Sequence, residues 1–333
     1  MTILVTGGAG FIGTNFIIDW FKNGKTEHII NLDVCEFPIQ NVRNLDAISE
    51  QTPIGMTTFI RGDVGDHNLI RSIFEKYAPR IVVNFAAKTH VDHSIENPVS
   101  FIQTNVNAQS VFLEEVRSWL SKCHEKFKND FRFIHVSTDE VYGSLTANAP
   151  RFKEDSPFLP NSPYAASKAA MDMVVRSYWK TYGFPVIVTH CSNNFGKYQF
   201  EDKFIPKMIS SVLMDQPMQI YGDGTNIRDW ISVSEHCTAL RFIIQRAKPG
   251  TVLNIGSGDE LTNNQVVDLI LDLYFEKFGQ DRRYLKTYVE DRKGHDFRYG
   301  VDTHKIFHET NWTSDYDFIE GLRETFNWYV KQI

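Results

Sequence analysis

The opening of the chain, TILVTGGAGFIG, constrains the fold more than any other segment. A β-branched run from Thr2 to Thr6 gives way to glycines at positions 7, 10 and 13, and an apolar segment with helical spacing follows from Phe11 to Phe21. Glycine reaches backbone conformations that a Cβ forbids and lets another group come close to the main chain. A strand that turns into a helix through such a stretch offers the helix's free N–H groups, and the positive end of its dipole, to whatever lies above the turn. By itself the spacing G-x-x-G-x-x-G also suits a plain tight turn. Its neighbour narrows the choice, because the next β-branched run, HIINLD, ends at Asp33, twenty residues past Gly13. A carboxylate at the end of a second strand can accept both hydroxyls of a ribose and repels a 2′-phosphate, so the two features together predict a dinucleotide site that takes NAD rather than NADP.

The alternation continues. Runs TTFIRGD, RIVVNFAA, FRFIHVS and PVIVTHC follow, separated by helically spaced stretches such as Asn68 to Tyr77. Strand alternating with helix predicts a parallel sheet covered on both faces, an α/β fold of the Rossmann type with a doubly wound sheet, over residues 1–190. After Cys191 short runs (MQIYG, TVLNIG) mix with amphipathic stretches at Lys203 to Met214, Asn263 to Phe278 and Phe318 to Tyr329. That change of rhythm predicts a smaller mixed α/β domain over 191–333, mainly for substrate, with room for later returns of the chain to the first. Ligands of open α/β sheets sit at the carboxyl ends of strands. Asp63, after the third run, and Ala86, Ala87 and Lys88, after the fourth, are therefore candidate cofactor neighbours, although Asp63 suits a helix N-cap equally well.

Composition excludes whole classes of partner. Lys and Arg number 35 against 41 Asp and Glu, a net charge of −6, which leaves no electrostatic footprint for nucleic acid or an anionic membrane. No apolar run approaches the ~18 residues needed to span a bilayer, and the N-terminus lacks a basic leader. Cys35, Cys123, Cys191 and Cys237 lie far apart with no C-x-x-C pair, which argues against a disulfide framework and against a zinc site. We expect a cytoplasmic protein without a metal, acting on a small molecule or another chain.

The chemistry concentrates in two segments. SPYAASKAA sets Tyr164 and Lys168 four apart, so in a helix both project from one face. The Lys ammonium and the positive charge of a bound nicotinamide would lower the phenol from about 10, letting a tyrosinate take a hydroxyl proton at neutral pH. Such pairs are common on surfaces, and this one gains meaning from FIHVSTDEVYGS, where an apolar run ends in Ser137, Thr138 and two adjacent carboxylates, Asp139 and Glu140. Adjacent carboxyls in a desolvated pocket cannot both ionise cheaply, so one stays protonated and the pair offers an acid and a base to one substrate. Neighbours on a regular strand point to opposite faces. Both acids serve one substrate only if the strand breaks at Asp139; otherwise they are a polar strand end capping the next turn.

VTGGAGFIG, NFAA, VSTDEVYG, NSPYAASKA, NNFGKYQF, GDGTNIRDW and GHDFRY stand in the order found in the extended short-chain dehydrogenase/reductase family, which the chain resembles over essentially its whole length. Within that family it is most similar to the nucleoside-diphosphate-sugar 4,6-dehydratases, above all those acting on dTDP-glucose. Relatives that only epimerise C4 usually carry small residues where this chain has Asp139 and Glu140. The resemblance implies catalytic NAD and a three-part reaction: oxidation at C4, loss of water across C5 and C6, and return of the hydride to C6 to give a 4-keto-6-deoxy sugar. It assigns Asp139 as the acid at the C6 hydroxyl, Glu140 as the base at C5, and Thr138 as a hydrogen-bond partner of the C4 hydroxyl beside Tyr164 and Lys168. It sets Gly7, Gly10, Phe11, Ile12, Gly13, Asp33, Asp63, Val64, Ala86, Ala87 and Lys88 around NAD together with Tyr164 and Lys168. Around the sugar nucleotide it sets His90, Asn193, Lys203, Arg228, Asn263, His295 and Arg298, the Arg228 guanidinium matching diphosphate oxygens. It also implies a homodimer through a four-helix interface drawn from Phe101 to Trp119 and Ala165 to Tyr182.

Two stretches depart from the family's pattern. DVCEFPIQNVRNL stands where a Tyr-Ala-Gly-Asn segment is usual after the strand-two acid, and Lys88 stands where Glu or Gln usually follows the paired alanines. They keep open a UDP-glucose or UDP-N-acetylglucosamine 4,6-dehydratase, a 5,6-dehydratase, a UDP-hexose 4-epimerase, and a catalytically silent NAD-binding scaffold.

Overall fold

The computed structural model describes residues 1–332. In it the β-branched runs become β1 (Thr2–Thr6), β2 (His28–Asp33), β3 (Thr57–Arg61), β4 (Ile81–Asn84), β5 (Arg132–Thr138) and β6 (Val186–Cys191), and the second half adds β7 (Asn193–Phe195), β8 (Met218–Tyr221), β9 (Ile227–Ser232), β10 (Val252–Ile255), β11 (Glu260–Thr262) and β12 (Lys286–Val289). Between the first strands run α1 (Phe11–Lys22), α2 (Pro38–Gln51), α3 (His67–Tyr77), α4 (Val91–Glu96), α5 (Pro98–Ile102), α6 (Gln109–Ser121), α7 (Glu125–Asp130) and α8 (Pro163–Tyr182). The later helices are α9 (Phe204–Leu213), α10 (Val233–Arg246), α11 (Asn263–Phe278), α12 (His304–Thr310) and α13 (Phe318–Val330).

Seven strands pair in the order β10-β6-β5-β4-β1-β2-β3, every neighbour parallel. The order changes direction between β1 and β4, so the crevice that an open α/β sheet offers a ligand lies at their carboxyl ends. Both faces are covered, as the near-continuous apolar runs require. Strand periodicity sends Val5, Val83 and Ile134 to one face, under Phe16 and Ile17 of α1 and Leu240 and Ile243 of α10. Leu4, Val82 and Phe133 go to the other, under Phe74, Phe112, Val116 and Val175 of α3, α6 and α8. The return of the chain to the large sheet is made by α10 and β10, so residues 233–255 belong to that layer.

The remainder of the second half builds a smaller mixed body. β11-β9-β7 form a three-stranded sheet, β12 pairs with β8, and α9, α11 and α13 close a separate core around Phe195, Ile209, Ile270 and Phe326. Local signals set the helix ends. Ser162 caps α8 by accepting from the Ala165 nitrogen, and Gly183 (φ +64°) ends it; Thr262 and Gln265 form a capping box on α11. Asp66, not Asp63, caps α3. Among the described residues the four cysteines are free, no helix is long and apolar enough to cross a membrane, and no group of three or more His, Cys, Asp or Glu is placed to hold a metal ion.

Candidate active site

β1 ends against a turn that leaves no room for side chains. Gly7 adopts φ +69°, and a Cβ on it would lie 2.7 Å from the Ala86 nitrogen; one on Gly13 would lie 2.4 Å from the Gly7 carbonyl oxygen. Gly10 is the N-cap of α1 and supplies no side-chain acceptor, so the first-turn N–H groups, Phe11 and Ile12 among them, remain for an anion. Asp33 closes the turn from β2. One of its carboxylate oxygens accepts from the Ala9 nitrogen (3.0 Å) and the other from the Cys35 nitrogen (2.8 Å). Burial raises its pKa while those two bonds oppose the rise, and each oxygen keeps a lone pair for a ribose hydroxyl. Asn41 and Asn44 of α2, marked by no motif, both donate to the Ala9 carbonyl at 2.9 and 3.0 Å and clamp the turn from behind. Asp63 is exposed and accepts from the Gly65 nitrogen (2.7 Å), beside buried Val64. A bare helix N-terminus, a backbone that a Cβ would block and an acid on the second strand together suit NAD.

The two departures from the family's pattern meet here. Lys88 Nζ lies 3.1 Å from Glu36 Oε1, and because β1 sits between β2 and β4, the pair reaches across the mouth of the glycine turn. The Lys88 backbone is itself held on both sides by Asn105, which accepts from its N–H (2.8 Å), donates to its carbonyl (2.9 Å) and donates to Ser167 on α8 (2.9 Å). Asn105 lies in the wide helical turns of Gln103–Ala108 that join α5 to α6.

The strand does break beside the acids. β5 ends at Thr138, whose hydroxyl accepts from the Glu140 nitrogen (3.3 Å), and Asp139–Tyr142 form a tight 3-10 turn. The two carboxyls thereby enter different surroundings. Asp139 is 1% exposed with Oδ2 unpartnered, and burial, then Glu140 and Asp229, hold its carboxyl well above the usual range. Glu140 reaches a cavity wall; burial raises it too, but Arg228 opposes. On α8, Tyr164 and Lys168 lie one turn apart, both buried. The Tyr164 nitrogen donates to the Ser94 hydroxyl (3.1 Å), and Phe101 stands edge-on to the ring at 6.4 Å.

One electrostatic expectation needs correcting. Burial, followed by Glu140 and Cys191, pushes the Tyr164 phenol well above its ordinary value, with a hydrogen bond from Thr138 opposing. The Lys168 ammonium donates to the Val136 carbonyl (2.9 Å), and the carboxylates of Glu140 and Asp139 act on the phenol against the lowering expected from the ammonium and a bound nicotinamide.

A cavity of about 540 Å³ opens beside Glu140, between the large sheet and the smaller body. His90, Asn193, Lys203, Arg228, Asn263 and His295 all line it. Arg228 stacks on the Tyr299 ring at 4.4 Å and donates to the Asp296 carbonyl at 3.0 Å. Lys203 donates to the Thr89 carbonyl (3.3 Å), and burial lowers its pKa against Asp202 and Glu140. His90 stacks on His93 at 4.0 Å and faces Asp202 at 3.2 Å; burial and then Lys203 lower its pKa. His295 Nδ1 lies 2.7 Å from Asp291 Oδ1.

Arg298 is a correction. It does not line the cavity: its guanidinium is taken by Glu260 (3.0 Å from Nη2) and by the Ala149 carbonyl (2.7 Å), which staples the 145–149 segment to β11. A fork of donors beside a half-buried carboxylate is saturated by it. A further cation that does line the cavity, beside Lys203 and Arg228, is Arg292, unmarked in the sequence except as the start of RKGHDFRY, and Asp92 holds it at 3.0 Å across 200 residues. Asp202, Tyr221 and Trp230 are further lining residues that the sequence did not single out, although Trp230 closes the quoted GDGTNIRDW segment.

A glycine turn at the switch point and a buried Tyr-Lys pair beside a strand-end hydroxyl place the chain in the extended short-chain dehydrogenase/reductase class. Residues 4–325 match the family described as GDP-mannose 4,6 dehydratase, and the chain belongs to it. It is 42% identical to the dTDP-glucose 4,6-dehydratase of Xanthomonas campestris pv. campestris, over 99% of this chain and 93% of that one. The dTDP-glucose 4,6-dehydratase of Bacillus anthracis, solved in complex with NAD, superimposes with a TM-score of 0.87 at 38% identity, covering 99% of this chain and 97% of that one. The enzyme of the same name from Streptomyces venezuelae, solved with NAD and dTDP bound, gives a TM-score of 0.88 at 36% identity with the same coverage.

Proposed function

We propose that the chain is an NAD-dependent lyase that converts dTDP-glucose to its 4-keto-6-deoxy product. The observation that carries this reading is the turn at Asp139–Tyr142, which separates two adjacent carboxyls into a buried one and one on the cavity wall. NAD, when bound, supplies the acceptor and later the donor of hydride. All proton chemistry falls to the chain's own groups. With the positive charge of a bound nicotinamide in front and Lys168 one turn behind to offset the nearby carboxylates, Tyr164 as tyrosinate would take the proton of the C4 hydroxyl while Thr138 hydrogen-bonds the same oxygen. Once C4 is a ketone, the C5 proton is acidic, and Glu140, which lines the cavity and whose pKa burial raises against Arg228, removes it. Asp139, kept neutral by burial, gives its proton to the C6 oxygen, so water departs. Lys203, Arg228 and Arg292 provide positive charge for the diphosphate.

Residues 1–190 with 233–255 hold the cofactor, and the rest of the second half holds the sugar nucleotide. The protein is read as a cytoplasmic homodimer, with exposed Ile102, Met173 and Tyr182 on α5 and α8 supporting an interface there; light scattering at twice the chain mass tests it. The functional reading is tested by incubating the NAD-loaded protein with dTDP-glucose, UDP-glucose and UDP-N-acetylglucosamine and identifying products by mass and NMR. Loss of one water from dTDP-glucose with a new C6 methyl is expected. An epimer of unchanged mass, or no change in any of the three, overturns it.

A further inference from the structure

We infer that Asp172, which the mechanism above does not use, is a positioning residue for both halves of the catalytic set: it is the counter-charge of Lys168 and, through His190 and Tyr142, it braces the turn that carries Asp139 and Glu140. The inference rests on the proposed function only for what the braced groups do.

Tyr164, Lys168 and Asp172 follow one another at four-residue intervals on α8, so they form one buried stripe. The stripe faces consecutive residues of β5: Lys168 Nζ donates to the Val136 carbonyl at 2.9 Å, and Asp172 Oδ2 accepts from the Ser137 hydroxyl at 2.8 Å. Ammonium and carboxylate are thereby anchored to neighbouring residues of one strand, one helical turn apart and without a direct ion pair between them. An ammonium that is 5% exposed needs a counter-charge. Burial lowers the Lys168 pKa, and Asp172 is the largest influence holding it up. The other groups facing this pair are His135 on β5, His190 and Cys191 on β6, Tyr164 on α8 itself, and Asp139 and Tyr142 in the turn. Among them Asp172 is the ionised carboxylate: burial would raise it, but His135 and His190 more than offset this and leave it below the usual range.

The second arm runs through β6. His190 Nε2 lies 3.1 Å from Asp172 Oδ2, and its Nδ1 lies 2.6 Å from the Tyr142 hydroxyl, which in turn donates to Asn254 Oδ1 at 2.9 Å. Tyr142 closes the 3-10 turn begun by Asp139 and is 1% exposed, so its hydroxyl fixes where that turn stands above the sheet. His135 Nε2 lies 3.2 Å from Asp172 Oδ1 on the remaining side, close to the carboxylate but without completing a hydrogen bond to it. One side chain thus ties α8, β5, β6 and the acid-bearing turn together.

The test uses NAD-loaded protein and follows first-turnover reduction of NAD by absorbance as a function of pH. In Asp172→Asn the high-pH limb, where Lys168 loses its proton, moves down by about one to two pH units, the effect of one charge at helical spacing in a medium of effective dielectric near 20. Asp172→Glu, which keeps the charge, restores the limb. The substrate-free protein gives a second readout: because Asp172→Asn pushes the folded Lys168 pKa further below its unfolded value, the unfolded chain binds more protons over a wider window and the melting temperature rises with pH more steeply than the wild type's up to the ordinary lysine value near 10.4. Should Asp172→Asn fail to fold, Asp172→Ser is read in the same way. Tyr142→Phe leaves the limb in place but slows C5 proton exchange about tenfold relative to hydride transfer, through misplacement of the turn. Equal loss at every pH in Asp172→Asn, or equal slowing of both steps in Tyr142→Phe, overturns the inference. A wild type that reduces NAD with none of the three nucleotide sugars defeats the functional reading instead.

Discussion

The cofactor turn and the sugar cavity are built in opposite ways. The turn is backbone: its shape depends on the absence of atoms at Gly7 and Gly13, and the carboxylate that closes it, Asp33, arrives with the next strand. The cavity is side chains, delivered by the loop after β4, the turn after β5, the start of α9, β9, the start of α11 and the stretch before Arg298. A site made of backbone should fail when an atom is added, and a site made of side chains when one is removed.

The sharpest break is on the side-chain half. Tyr164→Phe removes the proton acceptor for the C4 hydroxyl and should lower first-turnover NAD reduction by roughly 10²–10⁴-fold, the span of one acid–base group. Glu140→Gln separates the steps: NAD reduction persists while incorporation of solvent deuterium at C5 falls by a similar factor, and normal incorporation would remove Glu140 from its role. On the backbone half, Gly13→Ala should weaken NAD binding about 100-fold in calorimetry, because its Cβ would meet the Gly7 carbonyl at 2.4 Å and the turn must open. Retention of NAD by that variant would show that the turn is not backbone-limited.

Two smaller effects refine the contrast. Asp139 has a pKa raised on folding, so the native state binds more protons than the unfolded chain above the ordinary carboxyl value, and stability falls as pH rises through that window. Asp139→Asn should flatten this fall in melting temperature between mildly acidic and mildly basic pH while abolishing water loss. Smallest of all, Lys88→Ala should speed NAD release by no more than about fivefold, the limit for a solvent-touched ion pair. A larger change would mean that Lys88 contacts the cofactor rather than only Glu36.

The same division explains what could be read before folding. β1, the glycine turn and Asp33 span residues 2–33, and each signal is local: β-branching, a glycine spacing, an acid at a strand end. Tyr164 and Lys168 were legible because four residues is one helical turn. Arg298 misled because GHDFRY carries two cationic candidates, and which one faces the cavity depends on where Glu260 stands, 38 residues away. Arg292 and Asp92 could not be paired from sequence, since 200 residues separate them. Asp172 carries no local signal on its long helix; its meaning comes from His135, Ser137 and His190 on two different strands.

What the sequence determined by itself is therefore the alternation of strand and helix and the place of the switch point, because these follow from period, glycine and neighbour spacing; it also nominated the groups proposed to move protons. Tertiary structure alone decided that β10 returns to the large sheet, that Asp139 is buried while Glu140 meets the cavity, and that Arg228 and Arg292 line that cavity while Arg298 does not. Those outcomes depend on burial and on charge partners far along the chain, and packing, not local pattern, brings such groups within reach of one another.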